Sequence, residues 1–134
     1  MKKFSLLIVL AIILLSSCEQ EDRILELKVL PIKEVVAPKS FKYQTVDTLA
    51  IKYTLPNACY SFKDVYYRIN KNSRTVAINA FQQNDIPCSQ ATIDMELKLP
   101  INVLQDEEYV FKIYKGKDSN GDSIFDEIRI PVIP

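Results

Sequence analysis

The segment Lys117-Asp118-Ser119-Asn120-Gly121-Asp122 is the most motif-like stretch of the chain. Asp118, Asn120 and Asp122 stand at the one-three-five spacing with which oxygen ligands wrap calcium, a hard cation. A complete calcium loop also needs a bidentate acid at its twelfth position. Arg129 occupies that place, Ser123 occupies the sixth, and Lys115 and Lys117 would repel the ion. The stretch therefore reads first as a hairpin turn, with metal binding as the weaker alternative. Asp106, Glu107 and Glu108 supply carboxylates, but glycoside hydrolysis needs a pair about 5–10 Å apart across a cleft. Three neighbours in one turn read as a solvated loop. The chain contains no histidine, which removes the commonest general base and metal ligand together. Its two glycines cannot build a phosphate-cradling loop or a nucleophile elbow. No catalytic residue and no cofactor is expected.

Aromatic and sulfur side chains leave more open. Tyr60, Phe62, Tyr66 and Tyr67 cluster beside Cys59, and Phe81 and Tyr114 fall on the polar parity of their segments. Tyr60, Phe62, Tyr66, Phe81 and Tyr114 form a candidate surface for a sugar ring or a protein partner. The alternative is that a second layer covers them. Cys59 and Cys88 lie beside the turn signals Pro56-Asn57 and Pro87. In an oxidising compartment they are expected to pair and close a loop of about 30 residues. Two cysteines without histidine do not complete a zinc site.

That compartment is inferred from the N-terminus. Lys2 and Lys3 precede an apolar run from Phe4 to Leu15 interrupted only by Ser5. The run is shorter than the about 20 residues that span a bilayer, and it suits the core of a signal peptide. Leu15-Ser16-Ser17-Cys18 follows, and here the sequence resembles the lipobox of bacterial lipoproteins. The resemblance implies cleavage before Cys18 and acylation of that cysteine. Glu19, Gln20, Glu21 and Asp22 are similar to the acidic tract that sends some such proteins to the outer surface of the outer membrane. A solvated spacer is the equal alternative. The implied organisation is a signal peptide over 1–17, a lipidated tether over 18–23, and one domain over 24–134. The membrane would be reached through the lipid. The implied location is the outer membrane, with the cell-surface and periplasmic faces both open.

With 17 basic and 17 acidic residues the chain carries no excess charge, which argues against a nucleic-acid partner. An unidentified protein or glycan is the expected partner. Three roles remain: a non-catalytic binding or structural module, a small inhibitor or accessory subunit of a cell-wall enzyme, and a carbohydrate-binding module.

Whatever the site is, strands must position it. No helical stripe is sustained after Cys18; alternation of period two recurs instead. It runs through 48–55, 64–70, 75–80 and 93–99, and short strands are expected over Leu25–Val29 and Ile32–Val36, broken by Pro31. If Val65, Tyr67 and Ile69 face inward, Tyr66 faces out. Asn120-Gly121 predicts a type I′ turn, which needs positive φ at both central residues. Counting outward from that turn pairs Lys115 with Asp126, Ile113 with Ile128, Phe111 with Ile130 and Tyr109 with Val132. It also sets Lys112 against Arg129, which is unfavourable. The expected fold is all-β, an immunoglobulin-like β-sandwich of seven or eight antiparallel strands, with a small β-barrel as the alternative.

Overall fold

Alternation becomes strand along almost the whole described chain. The computed structural model describes residues 24–134; the lipobox, Cys18 and the acidic tether lie outside the described residues. The strands are β1 (Leu25–Leu30), β2 (Ile32–Val36), β3 (Phe41–Lys42), β4 (Val46–Leu55), β5 (Tyr60–Asn70), β6 (Ser73–Gln83), β7 (Ile93–Asn102), β8 (Tyr109–Lys117), β9 (Ser123–Ile130) and β10 (Val132–Ile133). Eight of them are substantial. The other two, β3 and β10, have two residues each and are too short to leave a periodic signal.

A large sheet is built on β6. β5 pairs along the whole of one edge of β6, from Tyr60↔Gln82 to Asn70↔Ser73. The other edge is shared end to end. β1 takes its C-terminal half, and β8 takes Ser73 to Val76 in parallel. β9 extends the sheet beyond β8. The small sheet runs β2-β4-β7, and β3 pairs with β10 in parallel. The expected antiparallel pattern thus holds except at β6–β8 and β3–β10. The sheets do not close, so the fold is a β-sandwich and not the alternative barrel. Pro31 interrupts the ladder between β1 and β2, and there the chain crosses from the large sheet to the small one.

Parity decides what is buried. β4 turns Leu49, Ile51, Tyr53 and Leu55 inward, and β6 turns Val76, Ile78 and Ala80 against them. Phe41 plugs the end of the core edge-on to Tyr109, with ring centroids 5.3 Å apart. β7 follows its alternation, but Met95, Leu97 and Leu99 are only half-buried because β7 is an edge strand with one partner.

The C-terminal hairpin exists with a different turn and register. Only Gly121 has positive φ (83°), not Asn120, so a type I′ turn is excluded. Gly121 N donates to Asp118 O at 3.1 Å, and Asp118 N donates to Asp122 O at 2.9 Å, giving a three-residue loop. Gly116, at φ 109°, closes a bulge that leaves Lys115 as the extra residue between Tyr114 and Gly116. Together the two devices shift the pairing, so that Phe111 meets Ile128 and Tyr109 meets Ile130. Lys112 then faces Glu127, and the expected clash with Arg129 does not arise.

Candidate functional site

The structure separates the five sequence-selected aromatics. Tyr60 and Phe62 pair with Gln82 and Ala80, on the inward parity of β6. Phe62 lies 6.2 Å from the inward-facing Tyr53 ring, at the open side of the sandwich. Tyr66 and Phe81 lie on the outward parity of the large sheet, where Tyr66 opposes Ala77 and Phe81 opposes Leu27. Tyr114 is also on that outer face, but it is buried instead of exposed. Phe125, across the ladder, covers it edge-on at 5.8 Å. Ile69, expected inside, is 62% exposed because it lies near the tip of β5, past the end of the core.

The two outer faces of the sandwich differ in character. On the small sheet, Glu34, Lys52, Asp94, Glu96 and Lys98 point outward, with Lys52 Nζ 3.0 Å from Glu34 Oε2. On the large sheet, Leu25, Leu27 and Val29 of β1 stand about half exposed beside Tyr66, Phe81 and Phe125. A large aliphatic or aromatic side chain gains about 1.5–3 kcal/mol when withdrawn from water, so a group left out together marks a contact surface. Between β1, β5, β8 and β9 this face sinks into a groove of about 600 Å³ floored by Ala77, Thr75 and Tyr114. The groove forms because β1 and β8 share one edge of β6 without pairing to each other.

Arg68 and Lys117 give the groove its positive charge; Lys28 also borders it but shares the inward parity of Leu30, and its ammonium pairs with Glu26. A hydrogen bond from Lys28 to Glu26 holds the ammonium above its ordinary pKa. Beyond the groove, Lys63 lies 5.9 Å from the Phe81 ring centre. Asp64 sits beside it with its carboxyl held below the usual range, first by the hydrogen bond from Lys63 and then by that from Asn79 Nδ2.

A second cleft, of about 520 Å³, opens between the sheets around Tyr67, Arg74 and Tyr109. Arg74 is the buried charged residue among the described ones, at 7% exposure. Its Nη1 donates to Lys71 O at 2.8 Å and Ser73 O at 3.0 Å, and its Nη2 donates to Gln105 Oε1 at 2.8 Å. The guanidinium lies 4.9 Å from the Tyr109 ring centre. Tyr109 OH donates to Asn102 O and accepts from Leu104 N. Burial raises the Tyr67 hydroxyl above its ordinary pKa. These polar groups are engaged with one another, so the cleft fastens the 103–108 loop. Sequence reading missed Arg74, although its signal was present: it shares parity with Val76, Ile78 and Ala80.

The remaining candidates are structural where they stand. Asp118 Oδ1 accepts from Asn120 N at 2.8 Å and Asp122 N at 3.0 Å, which explains the acidic one-three-five spacing as turn chemistry. Among the described residues no three acidic or sulfur side chains gather as metal ligands. Asp106, Glu107 and Glu108 lie in the β7–β8 loop, where Glu108 Oε1 accepts from Arg129 at 3.0 Å. Cys59 and Cys88 form a disulfide with Cα atoms 5.6 Å apart, tying the β4–β5 turn to the β6–β7 loop.

A family model described as the ORF11 beta-sandwich domain matches residues 49–129, from within β4 to near the end of β9. No curated protein and no solved structure matches the chain. The family description names an architecture and no ligand.

Proposed function

Starting from a chain that belongs to the ORF11 beta-sandwich domain family, we propose that it is a lipid-anchored, non-catalytic module of the bacterial cell envelope. Its anchor is Cys18, its location is the outer membrane, and its binding surface is the outer face of the large sheet. The observation that carries the binding role is the cluster of Leu25, Leu27, Val29, Tyr66 and Phe125 in contact with water around the groove of the large sheet's outer face, whose ion pairs Lys63–Asp64 and Arg129–Glu127 lie outside that groove. The anchor rests on the basic start, the apolar run and Leu15-Ser16-Ser17-Cys18. A catalytic role finds no support in a chain without histidine whose acidic cluster is consecutive in one loop.

The test is acylation and fractionation. Cells fed a labelled fatty acid are expected to label the wild-type protein and carry it in the outer-membrane fraction. Cys18→Ser should lose the label and leave that fraction. A Cys18→Ser protein that stays there in undiminished amount sinks the anchor.

A further inference from the structure

Resting on that anchored reading, we propose that the occupant of the apolar outer face is the lipid layer itself. The domain would lie on the membrane through β1, β5 and β9, with the charged face of the small sheet turned away.

Ile24 lies six positions after Cys18, so the tether reaches at most about 20 Å. It delivers the chain to Leu25, the first residue of β1, and β1 contributes Leu25, Leu27 and Val29 to the outer face. Ile24, at 64% exposure, extends the same apolar start. The strand nearest any anchor therefore carries three of the half-exposed side chains.

The chemistry of the groove matches a lipid surface. The groove pairs apolar walls with Arg68 and Lys117, and no acid lines it among the described residues. Apolar side chains entering the acyl boundary while cations meet phosphate headgroups is the chemistry of interfacial attachment. Tyr66 presents an aromatic ring with a hydroxyl, a type of side chain that favours the headgroup level. Ion pairs stand on both faces, Lys52–Glu34 on the small sheet and Lys63–Asp64 and Arg129–Glu127 on the large one, but the latter two lie outside the groove.

The chain has no tryptophan, so one introduced indole reports one position. Three single variants of the full chain serve: Leu27→Trp and Phe125→Trp on the outer face of the large sheet, and Lys98→Trp on that of the small sheet. Each is purified from membranes with its lipid and reconstituted into vesicles of phosphatidylethanolamine and phosphatidylglycerol, with and without brominated acyl chains. The expected result is that brominated lipid lowers emission from Leu27→Trp and Phe125→Trp by about twofold or more and leaves Lys98→Trp unchanged. Because Leu27 and Phe125 lie on different strands, failure of one variant to fold leaves the other as reporter. Acylated protein with no quenching at either outer-face position overturns the proposal alone, as does equal quenching at Lys98→Trp. Absence of acyl label on the wild-type chain overturns the anchored reading and the proposal with it. A protein or glycan that protects the outer face while brominated lipid does not quench it assigns the face to that partner, and the lipid seat fails.

Discussion

Arg74 makes clear how a single side chain is held in an apolar layer. Its charge is spread over two backbone carbonyls, an amide oxygen and the face of Tyr109. Replacing it by Met keeps much of the volume but leaves Gln105 and the Lys71 and Ser73 carbonyls without this donor. Arg74→Met is expected to lower stability by about 1–3 kcal/mol in urea unfolding, and Arg74→Lys to recover only part of it. Asp64 gives a prediction in pH. Its folded pKa lies below the ordinary 3.8, so ionised Asp64 favours the folded state above that value. The contribution is lost as pH falls through the depressed folded value. A titration followed by NMR should place Asp64 below 3.8 and show it moving upward in Asn79→Ala. No movement would remove Asn79 as a cause. Asp64 is solvent-exposed, so the effect on overall stability is expected to be slight.

At the scale of elements, conformation at two turns decides register. Lys71, in the two-residue loop between β5 and β6, has φ 54°, which an L side chain adopts at a cost. Lys71→Gly is expected to raise the unfolding midpoint, with a gain of about 0.5–1 kcal/mol. Gly116 presents the reverse case. A Cβ there would meet Pro31 Cβ at an ordinary 3.9 Å, so the penalty of Gly116→Ala is backbone strain at φ 109°. A loss of about 1–2 kcal/mol is expected in the same assay. These positions mark what was legible. Strand existence at 48–55 and 93–99 could be read from alternation, because a half-buried sheet enforces period two. Hairpin register could not. Asn-Gly specifies a turn, but it fixes neither the loop length nor the bulge beside Gly116, and each shifts the register by one residue. Tyr114 has the parity of an exposed residue, and only the partner strand reveals the Phe125 ring that covers it. The apolar face of β1 was missed for a related reason. Val29 and Leu27 read simply as strand residues until β6 shows which side each takes.

For the molecule as a whole, the Cys59–Cys88 bridge fastens one end of the sandwich across 29 positions of sequence. In the chain-entropy view, closing a loop of that length removes unfolded-state freedom worth about 3.5 kcal/mol. Urea unfolding with and without reductant should show a loss of unfolding free energy of that order, and an unchanged value would mean that the loop ends are held equally well by the neighbouring backbone bonds. Those bonds are Ala58 N to Ser89 O and Gln83 N to Cys59 O, each 3.0 Å.

The shared edge of β6 also sets an order in time. Hairpins β5–β6 and β8–β9 join neighbours in sequence and zip within about 1–10 μs. The parallel seam of Ser73–Val76 with Val110–Ile113 must wait for β7 and β8 to be made and placed. Chains whose sheets depend on such distant pairings fold in roughly milliseconds to seconds. β1 is synthesised first, yet its partner β6 follows only after four further strands. The segment with Leu25, Leu27 and Val29 therefore stays unpaired until β6 is made, and in that interval a nascent copy is prone to stick to another.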